Sequence, residues 1–335
     1  MKIGVLGAGG WALAIAILLN NNGHEVTVWS KVEAEIEGIR RDGENKKCLA
    51  GVKIPESINL TLDMKKVATE SELLVMAVAS PFVRSTSKEL AEHGIPGLKI
   101  VNVAKGIEEA TLYTMTQVIK SEIPDATLAA LSGPSHAEEV SRGIPTTCVV
   151  GADKKEFAEY VQNVFISEVF RVYISPDVLG IEIGAALKNV IALAAGVADG
   201  VGYGDNTKAA LITRGIHEIA RLGVAMGGKL QTFYGLSGIG DLIVTCASMH
   251  SRNRRAGILI GQGKTMQEAM DEVHMVVEGV HSAKAAYALS QKYNVEMPIV
   301  YEINQVLFEN ADVKESVRDL MLRVKKIENS DLPWE

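Results

Sequence analysis

Short apolar runs alternate with segments of helical period through the first half of the chain. The runs at 2–6, 25–29, 73–78, 99–103, 127–131 and 146–150 predict strands, bounded by turn residues and apolar enough to be covered on both faces. Between them, the period predicts a helix over 13–22 and further helices that begin near Pro81, Leu112 and His136. This alternation predicts a parallel sheet with helices on both faces. After Asp177 the strand signals largely stop, and Ala/Leu/Ile-rich helical segments follow at roughly 178–199, 206–226, 251–262, 281–293 and 298–309. The fold class is therefore α/β: a doubly wound N-terminal domain over 1–177, then an all-α C-terminal domain over 178–335. Ser175-Pro176-Asp177 marks the junction with a cap-and-proline signal, and residues 330–335 read as a frayed tail.

The first strand runs into Gly7-Ala8-Gly9-Gly10-Trp11-Ala12, between strand and helix. Gly7 suits a conformation closed to other residues, Gly9 lets a pyrophosphate approach the backbone, and Ala12 permits close strand-helix packing. Phosphate then meets the helix N-terminus, which makes the first domain a Rossmann-like dinucleotide site with Gly7, Gly9, Gly10 and Trp11 at its centre. An ordinary tight turn is the plainer reading of the glycines taken alone. At the end of the second strand, where an acid would grip the ribose of NAD, stand Ser30 and Lys31. A hydroxyl and an ammonium with no carboxylate beside them favour NADP over NAD, although Glu33 and Glu35 follow closely.

Composition narrows the class. The chain has 335 residues, 47% of them hydrophobic and 22% charged, which suits a soluble globular protein with room for two cores. A net charge of −7 argues against a nucleic-acid partner but leaves local cationic pockets open. Cys48, Cys148 and Cys246 lack C-x-x-C spacing, and no histidine pair has metal-ligand spacing. Both features fit a reducing cytoplasm without a metal site. No signal peptide is expected, because the first strand begins at once. The apolar stretch 181–198 carries Glu182, Lys188 and Asn189 and is expected to be a buried helix rather than a membrane span.

Several polar residues are out of place for packing. Lys188 sits in an apolar helix with no acid at i±4. Either it snorkels to the surface, or desolvation brings its pKa toward neutrality and makes it a proton donor, with Asn189 orienting the same oxygen. Asp241, between glycines and an apolar run, either caps a helix or serves a site. Ser251-Arg252-Asn253-Arg254-Arg255 opens a helix with a composition suited to phosphate, a solvated basic turn being the alternative. Lys105 and the segment Ser132-Gly133-Pro134-Ser135-His136-Ala137 fall at strand ends, where open α/β sheets meet ligands. His136 is assigned no catalysis, a hydrogen-bonded structural role being the commoner one.

Together Ala104-Lys105-Gly106, Ser132-Gly133-Pro134-Ser135, Ala186-Leu187-Lys188-Asn189, Gly238-Ile239-Gly240-Asp241-Leu242, Thr245-Cys246, Ser251-Arg252-Asn253-Arg254 and Val277-Glu278-Gly279 resemble the NAD(P)-dependent glycerol-3-phosphate dehydrogenase family of bacterial type. The resemblance runs along nearly the whole chain. It implies reversible reduction of dihydroxyacetone phosphate to sn-glycerol 3-phosphate, a phospholipid precursor, by a cytoplasmic homodimer. It also implies Lys188 as proton donor and acceptor, with Lys105, Gly133, Ser135, Asn189, Asp241, Thr245, Ser251, Arg252 and Asn253 at the substrate. Gly7, Gly9, Gly10, Trp11, Ser30, Lys31, Lys105, Ala137, Arg252, Val276 and Glu278 would contact the dinucleotide. Gly10, Ala12, Leu13, Ala79 and His136 depart from the usual pattern, Gly10 by lacking a hydroxyl. A reductase of unphosphorylated 2-oxo acids and a non-catalytic dinucleotide sensor are the competing functions.

Overall fold

A computed structural model describes residues 1–325, 327 and 328; the expected tail at 330–335 lies outside them. Eight strands form one sheet among the described residues: β1 (Lys2–Leu6), β2 (Glu25–Trp29), β3 (Asn59–Thr61), β4 (Leu73–Met76), β5 (Lys99–Asn102), β6 (Thr127–Ser132), β7 (Thr146–Ala152) and β8 (Phe170–Ser175). Their order is β3-β2-β1-β4-β5-β6-β7-β8. All neighbours are parallel except β7, which runs antiparallel to β6, so the expectation of a wholly parallel sheet is corrected there. The sequence order reverses between β1 and β4, which opens a crevice at the carboxyl ends of those strands.

Helices α1 (Gly10–Asn21), α2 (Glu33–Asp42), α3 (Met64–Glu70), α4 (Val83–Ala91), α5 (Met115–Glu122), α6 (Ala137–Val140) and α7 (Lys155–Phe165) surround the sheet. Alternate strand residues split between two cores. Ile3, Val5 and Val28 pack with α1 and α7, while Leu6, Trp29 and Met76 pack with α3, α4 and α5. Two helix starts differ from expectation. Helix α1 begins at Gly10, ahead of the apolar run, because the glycine turn feeds directly into it. Helix α5 begins at Met115 rather than near Leu112, because Leu112 has φ 60° and Thr114 forms a capping box with Gln117.

The rest of the described chain is helical: α8 (Val178–Val201), α9 (Asp205–Ala225), α10 (Leu230–Phe233), α11 (Asp241–Ala247), α12 (Arg252–Gly261), α13 (Met266–Val273), α14 (Glu278–Lys292), α15 (Pro298–Phe308) and α16 (Val313–Leu322). Asp177 caps α8, its carboxylate accepting the Gly180 N–H at 2.9 Å. By length and composition α8 could cross a membrane, but 83% of its most apolar window is buried inside this fold.

Helices α8 and α12 touch backbone to backbone. A Cβ on Gly196 would strike the Arg254 carbonyl, one on Gly257 the Leu193 carbonyl, and one on Gly261 the Val197 carbonyl. This contact sets the start of α12 against the middle of α8, where Lys188 and Asn189 lie. Gly257→Val is therefore expected to destabilise the protein by at least about 1–3 kcal/mol, because the main chains must part to admit the side chain. The midpoint of chemical denaturation measures it.

Candidate active site

The first turn is shaped by what lies behind it. Gly7 has φ 121°, and an added Cβ would meet the Ala77 carbonyl at 2.9 Å, so only glycine fits. Gly9 precedes α1 without a side-chain cap, and a Cβ there would meet nothing within 4 Å. The opening N–H groups of a twelve-residue helix are thus left with no side-chain cap to satisfy them. Gly10 does more than lack a hydroxyl: a Cβ would stand 2.5 Å from the Cys48 carbonyl oxygen, so serine does not fit this backbone. That loop is fastened by Asn45, whose Nδ2 donates to the Ala8 carbonyl at 3.0 Å. Trp11 lines the cleft with its indole N–H buried and unpartnered among the described residues. A helix start, an open Cβ position and an orphan donor are the features a pyrophosphate-bearing dinucleotide fits.

At the end of β2 the expectation of no carboxylate is corrected. The first turn of α2 folds Glu35 back over the strand end, where its Oε2 accepts the buried Ser30 hydroxyl at 2.7 Å. Ser30 Oγ also accepts the Val32 N–H at 3.1 Å. The Lys31 ammonium instead pairs with Glu89 at 2.8 Å and is largely exposed.

Across the cleft, Lys188 is 5% exposed and held by Asp241 Oδ1 at 2.6 Å and Thr245 Oγ1 at 2.7 Å. It does not snorkel. Lys105 Nζ takes the other carboxylate oxygen at 2.6 Å and donates to the Gly133 carbonyl at 3.1 Å. Asp241 is the first residue of α11 and makes no cap, which removes the capping alternative. With both oxygens committed to ammonium groups, Asp241 stands behind the lysines rather than lining the cleft, and Gly133 is likewise outside the lining. Burial, the largest influence, draws the Lys188 pKa down to about 8; Asp241 holds it up, and Lys105 adds to the fall. Burial pushes Asp241 upward, but the two ammonium groups override it and leave its pKa below the ordinary value.

The remaining predicted residues, Ser135, Ala137, Asn189, Thr245, Ser251, Arg252, Asn253, Val276 and Glu278, line the same cleft of about 1100 Å³ with the turn glycines, Trp11, Ser30 and Lys31. Asn253 bridges α8 and α14, donating to Asn189 Oδ1 at 2.9 Å and accepting the Gly279 N–H at 2.7 Å. Ser251 caps α12. Glu278 is buried and accepts both the N–H and the hydroxyl of Ser80, so its carboxylate fastens the loop after β4. Arg254 leaves the expected phosphate group: its guanidinium pairs with Asp199 at 2.8 Å and ties α12 to α8. Arg252 and Arg255 line the cleft without a side-chain partner among the described residues.

Sequence reasoning passed over His250, which faces His136 with ring centroids 5.8 Å apart. His136 Nε2 is buried and has no hydrogen-bond partner among the described residues, contrary to the expected hydrogen-bonded role. Burial, then the nearby Lys188 charge, lowers its pKa.

A dinucleotide turn at the switch point of a doubly wound sheet, facing a buried lysine on a second helical unit, defines a nicotinamide-dependent oxidoreductase. The chain belongs to the NAD-dependent glycerol-3-phosphate dehydrogenase family: the N-terminus of that family matches residues 2–158 and its C-terminus residues 177–318. It is 58% identical to the glycerol-3-phosphate dehydrogenase [NAD(P)+] of Fusobacterium nucleatum over 98% of each chain. To the enzyme of that name from Agathobacter rectalis it is 59% identical over 99% of each. The crystal structure of glycerol-3-phosphate dehydrogenase from Coxiella burnetii superposes with a TM-score of 0.93 at 31% identity, covering 96% of this chain and 99% of that one.

Proposed function

We infer that this chain catalyses the reversible reduction of dihydroxyacetone phosphate to sn-glycerol 3-phosphate with NADH or NADPH. The observation that carries the reading is Lys188: buried, in the cleft, held by Asp241 and Thr245, with a pKa of about 8. Gly7, Gly9, Gly10 and Trp11 would hold the pyrophosphate end of the dinucleotide, with Ser30, Lys31, Ala137, Val276 and Glu278 around the remainder. When bound, the nicotinamide supplies or accepts the hydride at the carbinol carbon.

The protein's part is the proton. As hydride reaches the carbonyl carbon, its C=O pair moves onto oxygen, and Lys188 Nζ gives that oxygen a proton; in oxidation the neutral amine takes it back. Asn189 and Thr245 position the oxygen, while Lys105 shares Asp241 and leaves one net positive charge beside it. Arg252, with Ser251 and Asn253 at the start of α12, would receive the phosphate. Asp241 is assigned to fixing the lysines, a change from direct substrate binding. The division of labour at 177/178 belongs to the same reading, as do a homodimer and a cytoplasmic location. The homodimer rests on the family resemblance; three free, separated cysteines support the location.

The test is oxidation of NADH and NADPH, in parallel, with dihydroxyacetone phosphate and with a panel of unphosphorylated 2-oxo acids. Turnover is expected with the phosphorylated substrate. Preference for the oxo acids would remove the reading, and binding without turnover of any substrate would favour a sensor.

A further inference from the structure

In this sheet order the adenosine ribose of a dinucleotide falls at the carboxyl end of β2. That end is built in detail. Ser30 Oγ has its one proton committed, donating to Glu35 Oε2 at 2.7 Å while accepting from the Val32 N–H at 3.1 Å. The bond to Ser30 and the first turn of α2 fix the Glu35 carboxylate in the lining of the cleft, alongside Gly10, Val32 and Lys47. Its second oxygen has no partner among the described residues. Lys31, the cation that follows Ser30, is drawn off to Glu89 on α4. Lys47 also lines the cleft, without an ion pair among the described residues.

We propose that Glu35 sets the cofactor preference of this chain, favouring NAD(H) over NADP(H) by placing a fixed carboxylate where the 2′-phosphate would lie. The free Oε1 accepts a hydrogen bond from a ribose 2′-hydroxyl. A 2′-phosphate offers negative charge in its place and meets repulsion, and the Ser30 hydroxyl has no proton left to give it. The carboxylate thus performs the task usually given to an acid at the last strand position, from one turn into the next helix. This rests on the dehydrogenase reading.

The experiment is calorimetric titration of the full-length protein with NADH and NADPH, without substrate, for the natural chain and for Glu35→Gln. The natural chain is expected to bind NADH at least about tenfold more tightly than NADPH. Glu35→Gln keeps an acceptor but removes the charge, so NADPH affinity rises about tenfold while NADH affinity changes by less than about threefold. The ratio of kcat/KM for the two cofactors should move in the same sense. Equal or tighter binding of NADPH by the natural chain would overturn the proposal, as would an unchanged ratio in the variant. If either result accompanies normal reduction of dihydroxyacetone phosphate, the role of Glu35 alone falls. If neither nucleotide binds, the dehydrogenase reading falls with it.

Discussion

Lys188→Ala is expected to lower kcat for reduction of dihydroxyacetone phosphate by about 10²–10⁴-fold, the range over which a positioned general acid acts, with nucleotide affinity changed by less than about threefold. The separation follows from geometry: Lys188 lies on α8 behind the substrate position, whereas the dinucleotide turn is on the sheet. Its pKa also sets a pH signature. With the Lys188 pKa at about 8, the ammonium that donates in reduction is present below that pH and lost above it. Reduction is therefore expected to fall as pH rises through about 8, and oxidation, which needs the neutral amine, to rise through the same range. Steady-state pH profiles in both directions check this, and a profile for reduction flat across that range would remove Lys188 as the donor. Unchanged turnover in the alanine variant would do the same.

Much of this arrangement is legible along the chain wherever the signal is local. The glycine turn declares itself by position between an apolar run and a helical one, and Lys188 stands out as an unpaired cation in an apolar helix. What the sequence does not display is the partner. Asp241 lies 53 residues beyond Lys188 and 136 beyond Lys105, and only folding makes it the counter-ion of both. The same distance misleads at Ser251–Arg255, where three arginines look equivalent until Asp199 on α8 claims Arg254. Glu35 is misread for a subtler reason: five residues separate it from Ser30 in sequence, but the first turn of α2 reverses over the strand end and brings them into contact. Strand β3 is too short to show a period, and its partly exposed residues carry no apolar face. The α8–α12 contact is encoded by paired glycines at spacing four, Gly196 and Gly200 against Gly257 and Gly261, which read as weak helix formers until their partners are in view.

Asp241→Asn tests the counter-ion directly. The change keeps shape and volume but leaves Lys105 and Lys188 facing each other with no negative charge between them. Breaking a buried ion pair from one side costs about 3–5 kcal/mol, and that figure is an upper bound here because Lys188 can shed its proton instead. Proton loss is the informative response. Asp241 holds the Lys188 pKa up and Lys105 presses it down, so removing the carboxylate charge moves it below about 8. Reduction at pH 8 is then expected to fall by on the order of 10²-fold, with the loss shrinking as the assay pH is lowered and the ammonium returns. A variant that had merely lost its fold would be inactive at every pH. A limb that stays near pH 8 in Asp241→Asn would mean that burial and Thr245, without the carboxylate, set the proton affinity of Lys188. A downward shift of the limb, with partial recovery at lower pH, identifies Asp241 as the residue that keeps a desolvated lysine charged long enough to give its proton away.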